Sequence, residues 1–188
     1  MNCGRGREMD QFYQELADKV KDAVEKDMRK VLDEVGSEKI YAAALVTDSD
    51  CVTLFLAVNT LEYLKENGGL ESEGRWLPDE WGYSDVGDSE LAKLSELLYE
   101  HDETLSSEDD EDEKWEERWQ MFFEAVISAL RQLKEDNAFG KNSQAITCFV
   151  SVSDDDRAEE VENYSAEQLN APELVEAFLK RNIEGEFE

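Results

Sequence analysis

Apolar residues recur at Phe12, Leu16, Val20, Val24, Met28, Val31 and Val35. These steps of three and four predict an amphipathic helix over 10–35 with one buried stripe. Gly36 ends it, since glycine tolerates the left-handed conformation that closes many helices. The period then changes. "KIYAAALVTDSDCVTLFLAVN" holds two apolar, β-branched and aromatic runs separated by "DSD", which predicts strands over 40–47 and 51–58 joined by a tight turn. Both runs are nearly continuous rather than alternating, as expected of a sheet covered on both faces. Asn59 or Thr60 can then cap a short helix, "LEYLKENGG", closed by its glycine pair.

The stretch "EGRWLPDEWGYSDVGD" is glycine-punctuated and holds Trp76, Trp81 and Tyr83. Such a loop either packs across the sheet or presents its rings as a binding patch, and burial is the commoner fate of Trp. "SELAKLSELLYEH" predicts a helix with Leu91, Leu94 and Leu98 on one face, capped by Asp88 or Ser89. The most strongly patterned helix is "KWEERWQMFFEAVISALRQLKED": Trp115, Trp119, Phe122, Val126, Ala129 and Leu133 form a core seam, widened by Phe123, Ile127 and Leu130. "NAFGKNSQ" breaks it before a third strand over 145–153, and Pro172 suits the first turn of a last helix reaching about residue 182. The expected fold is α+β: one domain, with a mainly antiparallel sheet of at least three strands flanked by three or four helices. It spans 10–183 with an acidic loop at 102–113, between a mobile extension at 1–9, where Met9 offers a second candidate start, and a tail at 184–188.

Charge sharpens this picture. The 188 residues carry 48 acids against 19 lysines and arginines, a formal net charge of −29. Direct nucleic-acid binding, which needs basic groups to neutralise phosphates, is disfavoured, and so are anionic membrane surfaces. A basic protein partner is favoured, because a field of one sign speeds encounters with the opposite sign. Acidity that serves only solubility is the bland alternative. Cys3, Cys51 and Cys148 are odd in number, without zinc or redox spacing, and two of them lie in apolar runs. Free thiols in a reducing, cytoplasmic setting fit best. No apolar run approaches the roughly 20 residues of a membrane span or the pattern of a signal peptide.

Catalytic chemistry is hard to find. His101, the one histidine, sits between Glu100 and Asp102 at a helix end and reads as a surface residue. Nucleophile elbows, phosphate-binding glycine loops and paired-histidine metal sites are absent. Carboxylates at Asp48 and Asp50, and at Asp154, Asp155 and Asp156, could attract a divalent cation, yet neither group has EF-hand spacing, and turn chemistry explains "DSD" equally well. No catalytic residue, metal site or cofactor is assigned.

"KIYAAALVTDSD", "RWLPDEWGY", "FGKNSQAITCFVSVSDDD" and "YSAEQLNAPELVEAFLKRN", in that order, resemble a bacterial family known as a domain of unknown function, numbered 4303. The likeness covers roughly residues 12–182. It implies no catalytic residues, since the family is defined by sequence. Similar stand-alone acidic α/β proteins of bacteria often serve as immunity proteins, which neutralise a toxin of the same cell or of a competitor. The expected function is therefore inhibition of a basic toxin, foremost a nuclease, by blocking its active cleft. Carboxylates would steer the encounter, and buried aromatic anchors would hold the complex. An acidic scaffold or nucleic-acid mimic is the alternative, and a carboxylate or metal-dependent hydrolase a third; oligomeric state stays open. Acids stand beside aromatics at Asp79, Glu80, Trp81 and Tyr83, and again at Asp109, Asp110, Glu111 and Asp112. The first group is the better anchor, because Trp115 and Trp119 belong to the expected core seam.

Overall fold

A computed structural model describes residues 11–70, 73–84, 86–105 and 111–182. Helix α1, Gln11–Val35, buries the expected stripe from Leu16 through Val35, and Tyr13 and Ala17 join it. Gly36 closes the helix at φ +61°, its N–H donating to Leu32 O at 3.1 Å. Strands β1, Ile40–Thr47, and β2, Phe55–Thr60, pair antiparallel with Ala44 opposite Ala57. The second strand begins four residues later than the pattern predicts. Asp48 is the reason: its Oδ1 accepts from Val52 N–H (2.9 Å) and its Oδ2 from Thr53 Oγ1 (2.9 Å), while Cys51 turns at φ 58°. The side chain thus extends the turn by substituting for a strand partner.

Strand β3, Thr147–Val152, lies on the other side of β1 and runs parallel to it, with Ala44 opposite Phe149. The sheet, in order β2-β1-β3, is therefore mixed, where the sequence suggested mainly antiparallel pairing. A strand that returns after a long helical connection is free of the hairpin rule, and β2 already holds one side of β1. Between the strands come α2, Leu61–Glu66, α3, Leu94–Leu105, and α4, Glu111–Glu135; after them come α5, Ala158–Leu169, and α6, Pro172–Leu179. The described residues thus hold six α-helices where three or four were expected. Helix α5 leaves little trace in the apolar pattern because its buried residues, Val161, Ser165, Ala166 and Leu169, are sparse and partly small or polar. Of the acidic loop expected at 102–113, residues 102–105 belong to α3 and 111–113 to α4, while 106–110 lie outside the described residues. Acids are compatible with a helix's first turn, where the dipole is positive.

Alternate residues divide the core. Ala43, Leu45, Leu56, Val58, Cys148 and Val150 face α1 and α4; Ala42, Ala44, Val46, Ala57 and Phe149 face a second cluster containing Leu64, Trp81 and Phe178. Both faces are covered, as the continuous apolar runs required. Within α4 burial starts at Phe122, so Trp115 and Trp119 are half-buried rather than in the core seam. The Arg157 guanidinium stacks over both rings, 4.7 and 4.1 Å from their centroids.

The outer edge of β3 is closed by side chains. Asn170 Oδ1 accepts from Cys148 N–H (2.8 Å) and its Nδ2 donates to Cys148 O (2.7 Å). Ser165 Oγ accepts from Val150 N–H (2.9 Å) and lies 3.4 Å from Val150 O. Lys134, buried near that edge, donates to Asn170 Oδ1 (2.8 Å) and to Ile146 O (2.9 Å). A side-chain amide and a hydroxyl thus occupy the place of a neighbouring strand. Among the described residues no helix is long and apolar enough to cross a membrane.

Candidate functional site

The segment after α2 is built around rings that the sheet pulls inward. Trp81 is 3% exposed and meets Phe149 edge to face at 5.8 Å between centroids. Trp76, half-buried, sets its edge against Phe178 at 5.1 Å. Tyr41 on β1 ties the backbone down by donating from its hydroxyl to Arg75 O (2.6 Å), and Asn59 Nδ2 donates to that same hydroxyl (3.0 Å). Burial pushes the Tyr41 hydroxyl up to about 12, so it stays a donor. Two 3-10 turns result, Glu73–Trp76 and Pro78–Glu80, the second begun by Pro78, whose fixed φ suits a first turn.

What points outward follows from what is held inward. Leu77, between the two turns, is 48% exposed, and Asp79 and Glu80 are exposed beside it. Glu80 folds its carboxylate back over Gly74, where a Cβ would collide with it. Arg75 donates to Leu70 O (3.1 Å), which brings a second exposed leucine, 40% accessible, into the same loop. Gly82 passes so close under Tyr63 that a Cβ there would stand 2.5 Å from the ring. The chain then meets β2: Tyr83 exchanges hydrogen bonds with Val58, N–H to O at 2.9 and 3.2 Å. Its hydroxyl donates to Glu38 Oε2 (3.0 Å), which also accepts from Thr60 Oγ1 (2.6 Å). Desolvation and the Glu38 carboxylate push that phenol up to about 12.

The residues singled out from sequence therefore separate. Asp79 and Glu80 stand at the surface; Trp81 belongs to the second core cluster, and Tyr83 is half-buried with its hydroxyl engaged. The anchor expected at Trp81 is corrected by its burial: the ring completes the sheet's second face. Leu77 takes the exposed position. "WLPDEW" carries no signal for this, because only the sheet decides that both flanking tryptophans turn inward. Asp109 and Asp110 lie outside the described residues, and Glu111 and Asp112 fall in the first turn of α4.

His101 stacks on Phe12, 3.4 Å between centroids, and lines a cavity of about 40 Å³ together with Cys51, Leu98, Arg118 and Trp119. That volume holds a few waters rather than a substrate. Burial and the Asp48 carboxylate push the Cys51 thiol up, so it stays a thiol instead of a nucleophilic thiolate. In the acidic triplet, Arg157 binds Asp155 through its backbone N–H (2.8 Å) and Nε (3.3 Å), which holds that carboxyl below its ordinary range. Among the described residues no three His, Cys, Asp or Glu side chains gather as metal ligands.

The sequence model of a family described as "Domain of unknown function (DUF4303)" matches residues 20–171. Searches of curated proteins and of solved structures find no match.

Proposed function

The chain belongs to the DUF4303 family, and we propose that it is an immunity-type inhibitor that binds a basic protein toxin, foremost a nuclease, and blocks its active cleft. One observation carries this reading: exposed acids, Asp79 and Glu80, adjoin an exposed leucine, Leu77, on a segment fastened to the sheet by Trp76, Pro78 and Trp81. A net charge of −29 speeds encounter with a basic surface but cannot by itself give long residence. Residence needs an apolar contact that excludes water, on a backbone that loses little entropy on binding. A cleft built to hold phosphates offers the complementary lysines and arginines, and carboxylates can occupy those positions.

The test is binding to the purified product of the neighbouring gene. Support is a one-to-one complex that inhibits the toxin, with an association rate that falls steeply as salt rises. Leu77→Asp should speed dissociation at least tenfold, and Asp79→Asn with Glu80→Gln should mainly slow association. Binding no tighter than to an unrelated basic protein would remove the proposal. Capture of many moderate partners from lysate would favour a general acidic scaffold.

A further inference from the structure

We propose that Asn67 is a site of spontaneous deamidation, set in the exposed turn that ends α2 and leads toward the Leu77 segment. The effect on a partner rests on the inhibitor reading above; the chemistry rests on Asn67 and Gly68 alone. Asn67 caps the C-terminus of α2 and is exposed, as is Gly68 after it. Gly68 and Gly69 stand at φ +128° and +89°, conformations that residues with side chains rarely adopt. Every other asparagine of the chain is followed by a residue with a Cβ, which crowds the approach of the next backbone nitrogen to the side-chain carbonyl. Two of them are also tied down. Asn59 is buried, with its Oδ1 accepting from the very N–H that would have to attack (Thr60, 3.0 Å), and Asn170 is held by Cys148 N–H and C=O.

Asn67 is held more loosely. Its Nδ2 donates to Tyr63 O (3.0 Å), and Gly69 N–H closes the turn on Leu64 O (2.9 Å). Its ψ of 42° must rotate to bring the Gly68 nitrogen onto Cγ. That rotation breaks both bonds at the end of a six-residue helix, where local opening is frequent. Two such bonds slow the reaction by about tenfold to hundredfold relative to the unfolded chain, without stopping it. The deprotonated Gly68 nitrogen attacks Asn67 Cγ; a C–N bond forms, the Cγ–Nδ2 bond breaks, and Nδ2 leaves as ammonia with a proton from solvent. Water then opens the cyclic imide at either carbonyl, to aspartate or isoaspartate. An amide and water give a carboxylic acid and ammonia, and nothing is oxidised or reduced. The product alters the turn, because a carboxylate replaces the donor on Tyr63 O and sets a negative charge at the C-terminus of α2, where the dipole is already negative. On one side of this turn Leu70 O holds the Arg75 guanidinium (3.1 Å), and on the other the Tyr63 ring covers Gly82. Loosening the turn therefore loosens both ends of the segment that presents Leu77.

The test incubates the folded full chain and the urea-unfolded chain side by side at neutral pH, with peptide mass mapping of every asparagine and enzymatic methylation to count isoaspartate. In the folded chain Asn67 should convert faster than any other asparagine, no more than about a hundredfold slower than in the unfolded chain, and faster as pH rises. Asn67→Gln should abolish isoaspartate in that peptide. Asn67→Asp, which reproduces the charged product, should speed hydrogen exchange at the Gly69 amide about fivefold or more. Faster conversion at another asparagine, a folded chain whose Asn67 stays intact long after the unfolded chain is converted, or unchanged Gly69 exchange in Asn67→Asp would overturn the proposal. The two readings fail separately. Conversion at Asn67 without any toxin binding sinks the inhibitor role alone, and a neutralised toxin with Asn67 left intact sinks the deamidation site alone.

Discussion

Replacing Asp27 tests whether a carboxylate inside the first helix fastens the distant segment around residue 90. Asp27 is fully buried in mid-helix, yet its oxygens serve another part of the chain: Ser89 Oγ, Glu90 N–H and Leu91 N–H all donate to it, and Lys30 Nζ donates at 3.1 Å. Lys30 also reaches Asp88 O (2.6 Å), so the two side chains clamp one turn. In Asp27→Ala the serine can rotate and Lys30 keeps Asp88 O, but the Glu90 and Leu91 N–H groups lose their acceptor. Two stranded donors plus the lost charged bonds cost about 3–5 kcal/mol, and a chain of this size should melt roughly 10 °C lower. Asp27→Asn keeps one acceptor oxygen and should cost about 1–3 kcal/mol. Acid behaviour gives an independent check. Burial pushes the Asp27 carboxyl up, but the bonds from Glu90, Leu91, Ser89 and Lys30 outweigh it and hold it below its ordinary 3.8. A carboxyl depressed by folding contributes its full stability above the unfolded value and loses it as pH falls through the folded one. Denaturant unfolding of wild type and Asp27→Asn should therefore show a constant gap from pH 7 down to about 4, narrowing only below. A gap that closes near pH 6, or an Asp27→Ala loss no larger than that of the exposed Asp18→Ala, would refute the clamp.

Three further outcomes are expected. Trp81→Ala should cost about 3–5 kcal/mol in denaturant unfolding, because it empties the second face of the sheet; Leu77→Asp should leave the melting temperature within a degree or two, and the reverse ranking would mean the loop is packed the other way round. Asn170→Ala removes the partners of Cys148 N–H and C=O and one partner of Lys134, so a loss of about 2–4 kcal/mol is expected. Concentration-dependent association, seen by light scattering, should accompany it as the β3 edge opens. Added sodium chloride should raise the melting temperature by screening the net charge of −29, and a flat response up to about 0.5 M would show the charges already well dispersed.

Much of the architecture was legible in the order of residues. Helix α1, its glycine stop, the third strand and the two-faced burial of the sheet follow from periodicity and continuous apolar runs, because each reports the environment of a single element. Net charge is likewise a property of the chain alone. What the order of residues conceals has another origin. Asp48 lengthens a turn, Asn170 and Ser165 close an edge, and Asp27 holds a segment more than sixty residues away: in each case a polar side chain substitutes for backbone, and composition looks the same whether or not it does. The parallel pairing of β3 depends on which side of β1 is still open when the strand returns. The candidate surface shows the division most plainly. From sequence, Trp76, Leu77, Asp79, Glu80, Trp81 and Tyr83 form one mixed apolar and acidic stretch, and the aromatic rings are its natural anchors. Only the sheet, with an empty second face wide enough for two indoles, decides that the tryptophans turn inward and that Leu77 and the two acids meet solvent.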